Sequence, residues 1–442
     1  MSADRRALEI MLRITQEGAY ANLALKEGLA DADSSEAGRI TALIYTALEK
    51  MGYCDFIIKH YAKGRVHSSI RGVLRLALTE MFFMDVPDYA ACSRAANLTA
   101  EIGKSKLKGF VNGVLRSVAR DRASNSLPQL PADFAQRMEI MSGYPAFMIE
   151  EYASAYGKDA TEKMLMARIT GTSIRPVYPH STDELAEALT LRSITFRKSR
   201  IVDGAIVVDS FGESIANDEL FLNGAFTVQS EGAMLACRCL DPQRGMKVLD
   251  ACAAPGGKTA YLYDLMERDG SITAWDIHPH RVKLIENTLK RLGIKGVECA
   301  VHDASTVEKG EERGFDAILC DVPCSGLGGG SKPDARYRKT DADIEEISRL
   351  QYRILNACSA RLKEGGELVY STCTISRREN EEIVERFLRE HEDFSLMPLG
   401  RYLSEDMRGR GENGMLRLLP YPDNTEGFFV AKLRRKREDQ CR

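Results

Sequence analysis

The chain has 442 residues, which is long for one domain, so two or three are expected. Its 44% hydrophobic and 28% charged residues are ordinary for a soluble globular protein. A net charge of −3 excludes a uniformly basic nucleic-acid binder, so any basic surface must be local; residues 1–125 hold 18 Lys and Arg against 14 Asp and Glu. The N-terminus Met1-Ser-Ala-Asp-Arg-Arg has no signal-peptide core, and no apolar run reaches the length of a membrane span. A cytoplasmic protein with no membrane partner is expected. The eleven cysteines contain no C-x-x-C pair, and Cys237/Cys239 and Cys320/Cys324 have no His at zinc-finger spacing. No metal is expected, and most of these thiols read as small buried hydrophobes, with one or two left to react.

From Arg5 to about Arg122 the pattern is helical throughout. Ala7, Leu8, Ile10, Met11 and Ile14 recur at three- and four-residue spacing, as do Ile40, Leu43, Ile44, Ala47 and Leu48, and then Val73, Leu74, Ala77, Leu78 and Met81. An all-α bundle is the expectation. Lys104, Lys106 and Lys108 cluster just before Gly109-Phe-Val-Asn-Gly-Val-Leu-Arg116, either as a solvated face or as an RNA-facing patch. Arg71-Gly-Val-Leu-Arg-Leu-Ala-Leu, Asp85-Val-Pro and Phe110-Val-Asn-Gly-Val-Leu-Arg resemble, in order, the NusB family of helical RNA-binding domains. The resemblance implies such a domain over 1–125.

Residues 123–145 carry Pro and polar punctuation and read as a linker. Helices are expected from Tyr144-Pro to Tyr156 and over Ala160–Ala167, followed by short strands at Ser173–Tyr178, Ile194–Phe196 and Ala205–Val208. This makes a small α+β unit over 145–225. Its position resembles the ferredoxin-like, RNA-binding insert that precedes the catalytic domain of RNA cytosine methyltransferases. That family usually has Arg-Val-Asn at the first strand, whereas here the chain reads Arg175-Pro-Val-Tyr.

From Phe226 the pattern becomes β–α–β–α, with strands at Lys247–Asp250, Ser271–Asp276, Val297–Asp303, Phe315–Asp321 and Glu367–Cys373. Helices such as His280–Leu292 and Ala342–Leu362 separate them. A mostly parallel, Rossmann-like α/β sheet covered on both faces is expected over 226–436. Ligands of open α/β sheets bind at the carboxyl ends of the strands, so Asp250, Asp276, Asp303 and Asp321 should converge there. After Asp250, Pro255, Gly256 and Gly257 force a turn into a helix from Lys258 to Glu267. Bare N–H groups at a helix start suit an anionic or polar ligand. The turn is not a P-loop, because Cys252 stands where the first glycine is needed, and G-x-G-x-x-G is absent. A nucleoside-cofactor turn remains.

Asp276 lies 19 residues after Gly257, near the spacing at which an acid meets a ribose hydroxyl; it could equally cap the next helix. Asp303 suits an adenine amine or an Asx turn. Asp321-Val-Pro-Cys-Ser-Gly326 puts a carboxylate and the Cys324 thiol within reach of one ligand, and the run from Gly326 to Lys332 reads as a lid. A second cysteine, Cys373, sits in Tyr370-Ser-Thr-Cys-Thr374, also at a strand's carboxyl end. One cysteine is more often structural; two on adjacent strand ends beside a carboxylate are not. A thiolate adding to C6 of cytosine makes C5 enamine-like, and a carboxyl at the N3 edge stabilises the charge so created.

Cys252-Ala-Ala-Pro-Gly-Gly-Lys258, Asp321-Val-Pro-Cys-Ser-Gly326 and Ser371-Thr-Cys373 resemble three signature motifs of the RNA 5-methylcytosine methyltransferases. The resemblance implies Cys373 as nucleophile, Cys324 as the cysteine of product release and Asp321 as the acid at the base. It also implies S-adenosyl-L-methionine held by Cys252, Ala253, Ala254, Pro255, Gly256, Gly257, Lys258, Asp276, Asp303 and Asp321. Lys258 touches either the nucleophile's surroundings or a substrate phosphate. Arg417-Leu-Leu-Pro and Thr425-Glu-Gly-Phe-Phe-Val-Ala431 resemble the family's closing strands, with Tyr421 where a His is common. Together with the NusB-like head, the chain resembles the B-type (Sun/Fmu) subfamily, which implies methylation of a cytosine in small-subunit 16S rRNA by a monomer. Two alternatives stay open: the same chemistry on tRNA or large-subunit rRNA, and a non-catalytic RNA-binding assembly or antitermination factor. The tail Leu433-Arg-Arg-Lys-Arg437 is a further candidate for phosphate contact.

Overall fold

The computed structural model describes residues 2–212, 215–307, 314–328, 333–336 and 339–437. They fall into two compact units, residues 1–166 with 331–339, and residues 167–330 with 340–442.

The first unit is all-helical. Seven helices follow one another: Ala3–Gln16, Ala21–Gly28, Ser34–Glu49, Met51–Tyr61, Ser68–Phe83, Asp88–Glu101 and Lys108–Ala123. Side-chain caps start three of them, with Ser2 Oγ accepting from Arg5 N, Asp33 Oδ1 from Glu36 N and His67 Nδ1 from Ser69 N. Every apolar residue picked out by the helical spacing is buried, including Leu8, Met11, Ile44, Leu74 and Leu78. The stretch expected to be a linker holds a further helix, Phe134–Ser142, opened by the Asp133 cap and closed by left-handed Gly143. Two prolines upstream hid it, because they mark only where a helix cannot be. Helices Ala146–Tyr156 and Lys158–Met166 then complete this unit. The short Pro333–Arg336 turn also belongs to it, with Arg336 donating to Ser142 O and lying over the Tyr144 ring.

The second unit contains two sheets. The smaller has β1 (Thr172–Pro176), β2 (Phe196–Lys198), β3 (Ile206–Val208) and β4 (Phe226–Val228) in the order β2-β3-β1-β4, all antiparallel. With helices Thr182–Leu191 and Glu219–Leu222 in the connections, this is the β-α-β-β-α-β ferredoxin-like arrangement. Strand β4 lies beyond the expected 145–225 segment, and the helices before Met166 belong to the other unit. Three residues are too few to show an alternating pattern, so only the pairing of Ile174 with Val228 reveals β4.

The larger sheet has β5 (Lys247–Asp250), β6 (Ser271–Asp276), β7 (Val297–Val301), β8 (Phe315–Asp321), β9 (Leu362–Thr372), β10 (Phe394–Leu396), β11 (Met415–Leu418) and β12 (Phe428–Arg435). The order is β10-β12-β9-β8-β5-β6-β7, with β11 pairing β12. Pairs among β5 to β9 are parallel, and the last three strands run antiparallel. Chain order reverses between β5 and β8, which opens a crevice at the carboxyl ends of both. Strand β7 stops at Val301, short of the expected Asp303, and β9 begins at Leu362 and ends one residue before Cys373. The basic tail is only partly solvated, with Arg434 and Arg437 exposed. Leu433 is buried in β12, and Arg435 pairs with Asp393 and donates to the carbonyls of Ser359 and Leu362. No described helix is long and apolar enough to cross a membrane.

Arg175, in the family's altered position, is an internal brace between the sheets. It is 1% exposed, stacks over Tyr261 at 4.3 Å, and donates to Gln229 Oε1 and Asp264 Oδ2, both at 2.7 Å. Arg175→Ala is expected to leave the Asp264 carboxylate short of its buried partner and to cost about 3 kcal/mol. Thermal unfolding followed by circular dichroism checks this, with a clearly lowered midpoint as the expected result.

Candidate active site

Strand β5 delivers the chain into a turn that the sheet itself shapes. Ala251 N donates to Leu319 O of β8, and Ala253 N donates to Trp275 O of β6. Cys252, Ala253, Ala254, Pro255 and Gly256 thereby sit over the crevice. Gly256 has φ 101°, and a Cβ there would stand 3.0 Å from Ile285 Cα, so the position needs glycine. Gly257 opens the next helix, Gly257–Leu265, which has no side-chain cap. A Cβ on Gly257 would meet nothing within 4 Å, so there is open space above the first free N–H groups.

The four strand-end acids separate into different roles. Asp250 does not join the crevice: it is fully buried, and Thr259 Oγ1 donates to its Oδ2 at 2.7 Å. Its other oxygen has no hydrogen-bond partner. Burial pushes its carboxyl up to about 7, against the Thr259 bond that lowers it. Asp276 accepts from His278 N at 3.1 Å and pairs with Arg281 at 3.3 Å. The helix cap is His278, so Asp276 braces the helix start from two residues away. Asp303 Oδ1 accepts from the backbone and hydroxyl of Ser305, an Asx turn. Its carboxyl is lowered: burial acts to raise it, and the Ser305 bonds outweigh that.

Asp321 stands at the centre of the remaining cluster. Its Oδ2 meets Lys258 Nζ at 2.7 Å, and its Oδ1 accepts from Ser371 Oγ at 2.8 Å. Burial opposes the charge of Lys258, but Asp321 more than offsets it, so the ammonium is held charged. Lys258 also lies 5.9 Å from the Phe428 ring centroid. Beyond Asp321, Cys324 Sγ lies 3.1 Å from Cys373 Sγ. The Cys373 sulfur and then burial push the Cys324 thiol well up. These two belong to the four least buried of the ten described cysteines, with Cys252 and Cys299. By contrast Cys54 and Cys239 are fully buried, and burial pushes each thiol up to about 12.

The loop after β8 is pinned by backbone bonds. Val322 N donates to Ser371 O, Gly328 N to Cys373 O, and Gly427 N to Gly328 O. A Cβ on Gly328 would lie 2.2 Å from Gly427 O, so the two strands of chain cross with no room for side chains. From residue 329 onward the lid expected over 326–332 lies outside the described residues. Tyr421 is 45% exposed in the segment joining β11 to β12. Among the described residues no group of His, Cys, Asp or Glu could hold a metal ion.

Spacing did not point to Gln351, Glu379 and Asn380, all fully buried beneath the two cysteines. The only signal available was polarity itself: Glu379-Asn380 interrupts no apolar pattern and reads as loop.

Comparison with known proteins agrees with this architecture. Residues 237–434 match the family model described as 16S rRNA methyltransferase RsmB/F, and residues 1–120 match the NusB family. The chain is similar to a probable ribosomal RNA small subunit methyltransferase B of Bacillus subtilis (strain 168), 35% identical, covering 97% of this chain and 98% of the relative. A protein of the same description from Synechocystis sp. is 29% identical and covers 98% and 100%. Among solved structures, the crystal structure of PH0851 superposes with a TM-score of 0.80 at 27% identity, covering 98% of each chain.

The buried Asp250 gives the unit a pH signature. Its carboxyl titrates at about 7 when folded and at about 3.9 when unfolded, so between those values the folded state holds the extra proton. Its burden on stability is therefore absent below about pH 4, grows with rising pH, and is complete above about pH 7. Asp250→Asn keeps an acceptor for Thr259 and removes the titration. Unfolding midpoints measured from pH 4 to 8 are expected to fall less steeply in the variant than in the parent protein.

Proposed function

The chain belongs to the ribosomal RNA small subunit methyltransferase B family, and on that premise we propose that it methylates C5 of a cytosine in small-subunit rRNA through a covalent cysteine adduct at C6. S-adenosyl-L-methionine supplies the electrophilic methyl group when bound. The turn of residues 252–258 suits it: an uncapped helix start, open space over Gly257, and the Asp276 and Asp303 acids at the next two strand ends.

The observation that carries the reading is the pair of thiols 3.1 Å apart beside an Asp–Lys pair. A pure binder needs neither thiol. In this reading the Cys373 thiolate adds to C6, and the Asp321 carboxyl shares a proton at the N3 edge to stabilise the charge the addition creates. Lys258 holds Asp321 in place and supplies compensating charge. After methyl transfer the C5 proton passes to water, its electron pair restores the C5–C6 double bond, and the C6–Sγ bond breaks with its electrons on the Cys373 sulfur, which takes a proton from Cys324. The base must be unpaired or flipped out, because C6 is shielded in a stacked duplex.

Residues 1–125 and the ferredoxin-like sheet are assigned to RNA contact. In the helical unit a groove of about 430 Å³ runs between helices Asp88–Glu101 and Lys108–Ala123. Tyr89, Ser93 and Asn97 line one wall at helical spacing, and Lys108, Asn112 and Arg116 the other. Tyr89 is 79% exposed, as a stacking platform for a base would be. Arg120 and Arg122 are paired with Asp121 and Asp88, whereas Lys104, Lys106, Lys108 and Arg116 have no ion-pair partner among the described residues.

Two experiments test the reading. Cys373→Ala is expected to abolish methyl transfer to rRNA, and Cys324→Ala to accumulate a protein–RNA complex that survives denaturing electrophoresis. The reverse pattern reassigns the two thiols, and full activity in Cys373→Ala removes the adduct. For the groove, Tyr89→Ala is expected to weaken RNA binding by about 1–3 kcal/mol. Arg116→Ala is expected to reduce the salt dependence of binding by about one charge; filter binding across a salt series measures both.

A further inference from the structure

Beneath the two cysteines lies a buried polar network that the reaction scheme does not use. Gln351, Thr372, Thr374, Glu379 and Asn380 are fully buried, and Ser325 is almost so. Glu379 Oε2 accepts from Ser325 N at 2.8 Å and from Gln351 Nε2 at 3.0 Å, while Oε1 accepts from Ser325 Oγ at 2.6 Å. Gln351 Nε2 donates to Pro323 O at 3.0 Å as well. The residues on either side of Cys324 are thus both tied to one carboxyl or its partner. Asn380 does the same for Cys373: its Oδ1 accepts from Thr372 Oγ1 at 2.6 Å, and its Nδ2 donates to Thr374 O at 3.0 Å. The halves are joined, since Ser325 Oγ lies 3.1 Å from Thr374 Oγ1 and Tyr370 Oη donates to Glu379 O at 2.6 Å.

We propose that Glu379 and Asn380 are positioning residues which together hold Cys324 and Cys373 at their close separation. Neither touches the thiols' reacting side. Adjacent in sequence, they grip the flanks of cysteines 49 residues apart, so movement of one cysteine loop is passed to the other. In this buried network both Glu379 oxygens and both Asn380 side-chain polar atoms are bonded, with Gln351 Oε1 alone among its named side-chain atoms left over, and loosening either clamp residue strands further polar groups away from water.

The clamp also places a carboxyl against the flank of Cys324. Backbone N–H, hydroxyl and amide donors converge on the Glu379 carboxyl, an environment built for the carboxylate. Burial pushes the carboxyl up, and the Ser325 and Gln351 bonds counter it. Negative charge at this place disfavours a second one on Cys324, whose thiol is pushed up by Cys373, by burial and by Glu379. The kcat part of the test below rests on the methyl-transfer reading; the clamp itself does not.

Phenylarsine oxide tests the separation without RNA, because trivalent arsenic is retained only where two thiols can bridge it. The parent protein is expected to retain one arsenical that Cys324→Ser and Cys373→Ser each abolish. Glu379→Gln and Asn380→Ala are expected to weaken retention about tenfold. Ser325→Ala and Thr372→Val each remove one hydroxyl group from the clamp; they carry the test if the first two fail to fold, with weakened retention at an unchanged unfolding midpoint as the expected result. Parent-like retention in the folded variants overturns the proposal. In rRNA methylation the same variants are expected to lower kcat with KM for RNA unchanged, and parent-like kcat in all of them also overturns it. An arsenical pattern as expected, in a parent protein that methylates no RNA, sustains the clamp and sinks the methyl-transfer reading alone.

Discussion

Asp321 of β8 lies opposite Ser371 of β9 in a parallel pair, and the geometry of the candidate site follows from that register. Parallel neighbours send their chains out of the same edge of the sheet, so the loops that follow must share one volume. Three residues beyond Asp321 is Cys324, and two beyond Ser371 is Cys373. A slip of one residue in either strand would turn the following side chains to opposite faces. The backbone bonds from Val322 to Ser371 and from Gly328 to Cys373 extend the same register past the ends of the strands. Where β12 returns beside β9, Gly427 and Gly328 touch backbone to backbone, which leaves that corner no freedom to drift.

Charge burial sets the second constraint. A carboxylate taken out of water persists only with donors around it, and the chain meets this in a different way at each strand end. Asp321 is met by Lys258 and Ser371, Asp276 by Arg281 and a backbone N–H, and Asp303 by its own turn. Asp250 has one hydroxyl for a partner and a carboxyl that titrates near neutrality. It braces the 252–258 turn from below by gripping Thr259, whereas Asp303 and Asp321 remain partly exposed. Glu379 follows the same logic at greater depth, with donors on both oxygens.

The helical unit shows how far periodicity reaches. Its core residues were legible because a helix packed on one face must repeat apolar residues every three or four positions, and Leu8, Ile44 and Leu78 do so. The groove between helices Asp88–Glu101 and Lys108–Ala123 was half legible. Lys108 and Arg116 stand out in a charge count, but that Tyr89, Ser93 and Asn97 face them depends on how two helices cross. The Phe134–Ser142 helix was hidden because prolines before it read as breaks, although its Asp133 cap and Gly143 terminus are both ordinary helix signals.

The sequence by itself determined the fold class and which residues gather at the candidate site. Alternation of β and α periods requires a parallel sheet; the glycine turn and the acids at strand ends mark its ligand edge; Asp321, Cys324 and Cys373 are close enough to strand ends to be placed there without coordinates. Such features are local, fixed by neighbours within a dozen residues. Tertiary structure alone decided what joins distant segments. It placed Arg175 on Asp264, drew Phe226–Val228 into the smaller sheet, turned Asp250 inward while Asp321 stayed at the crevice, and set Glu379 and Asn380 beneath the cysteines. Those contacts cross tens of residues, and a side chain's partner over that distance depends on strand register and packing. A glutamate in the sequence looks the same whether it faces water or holds two loops together.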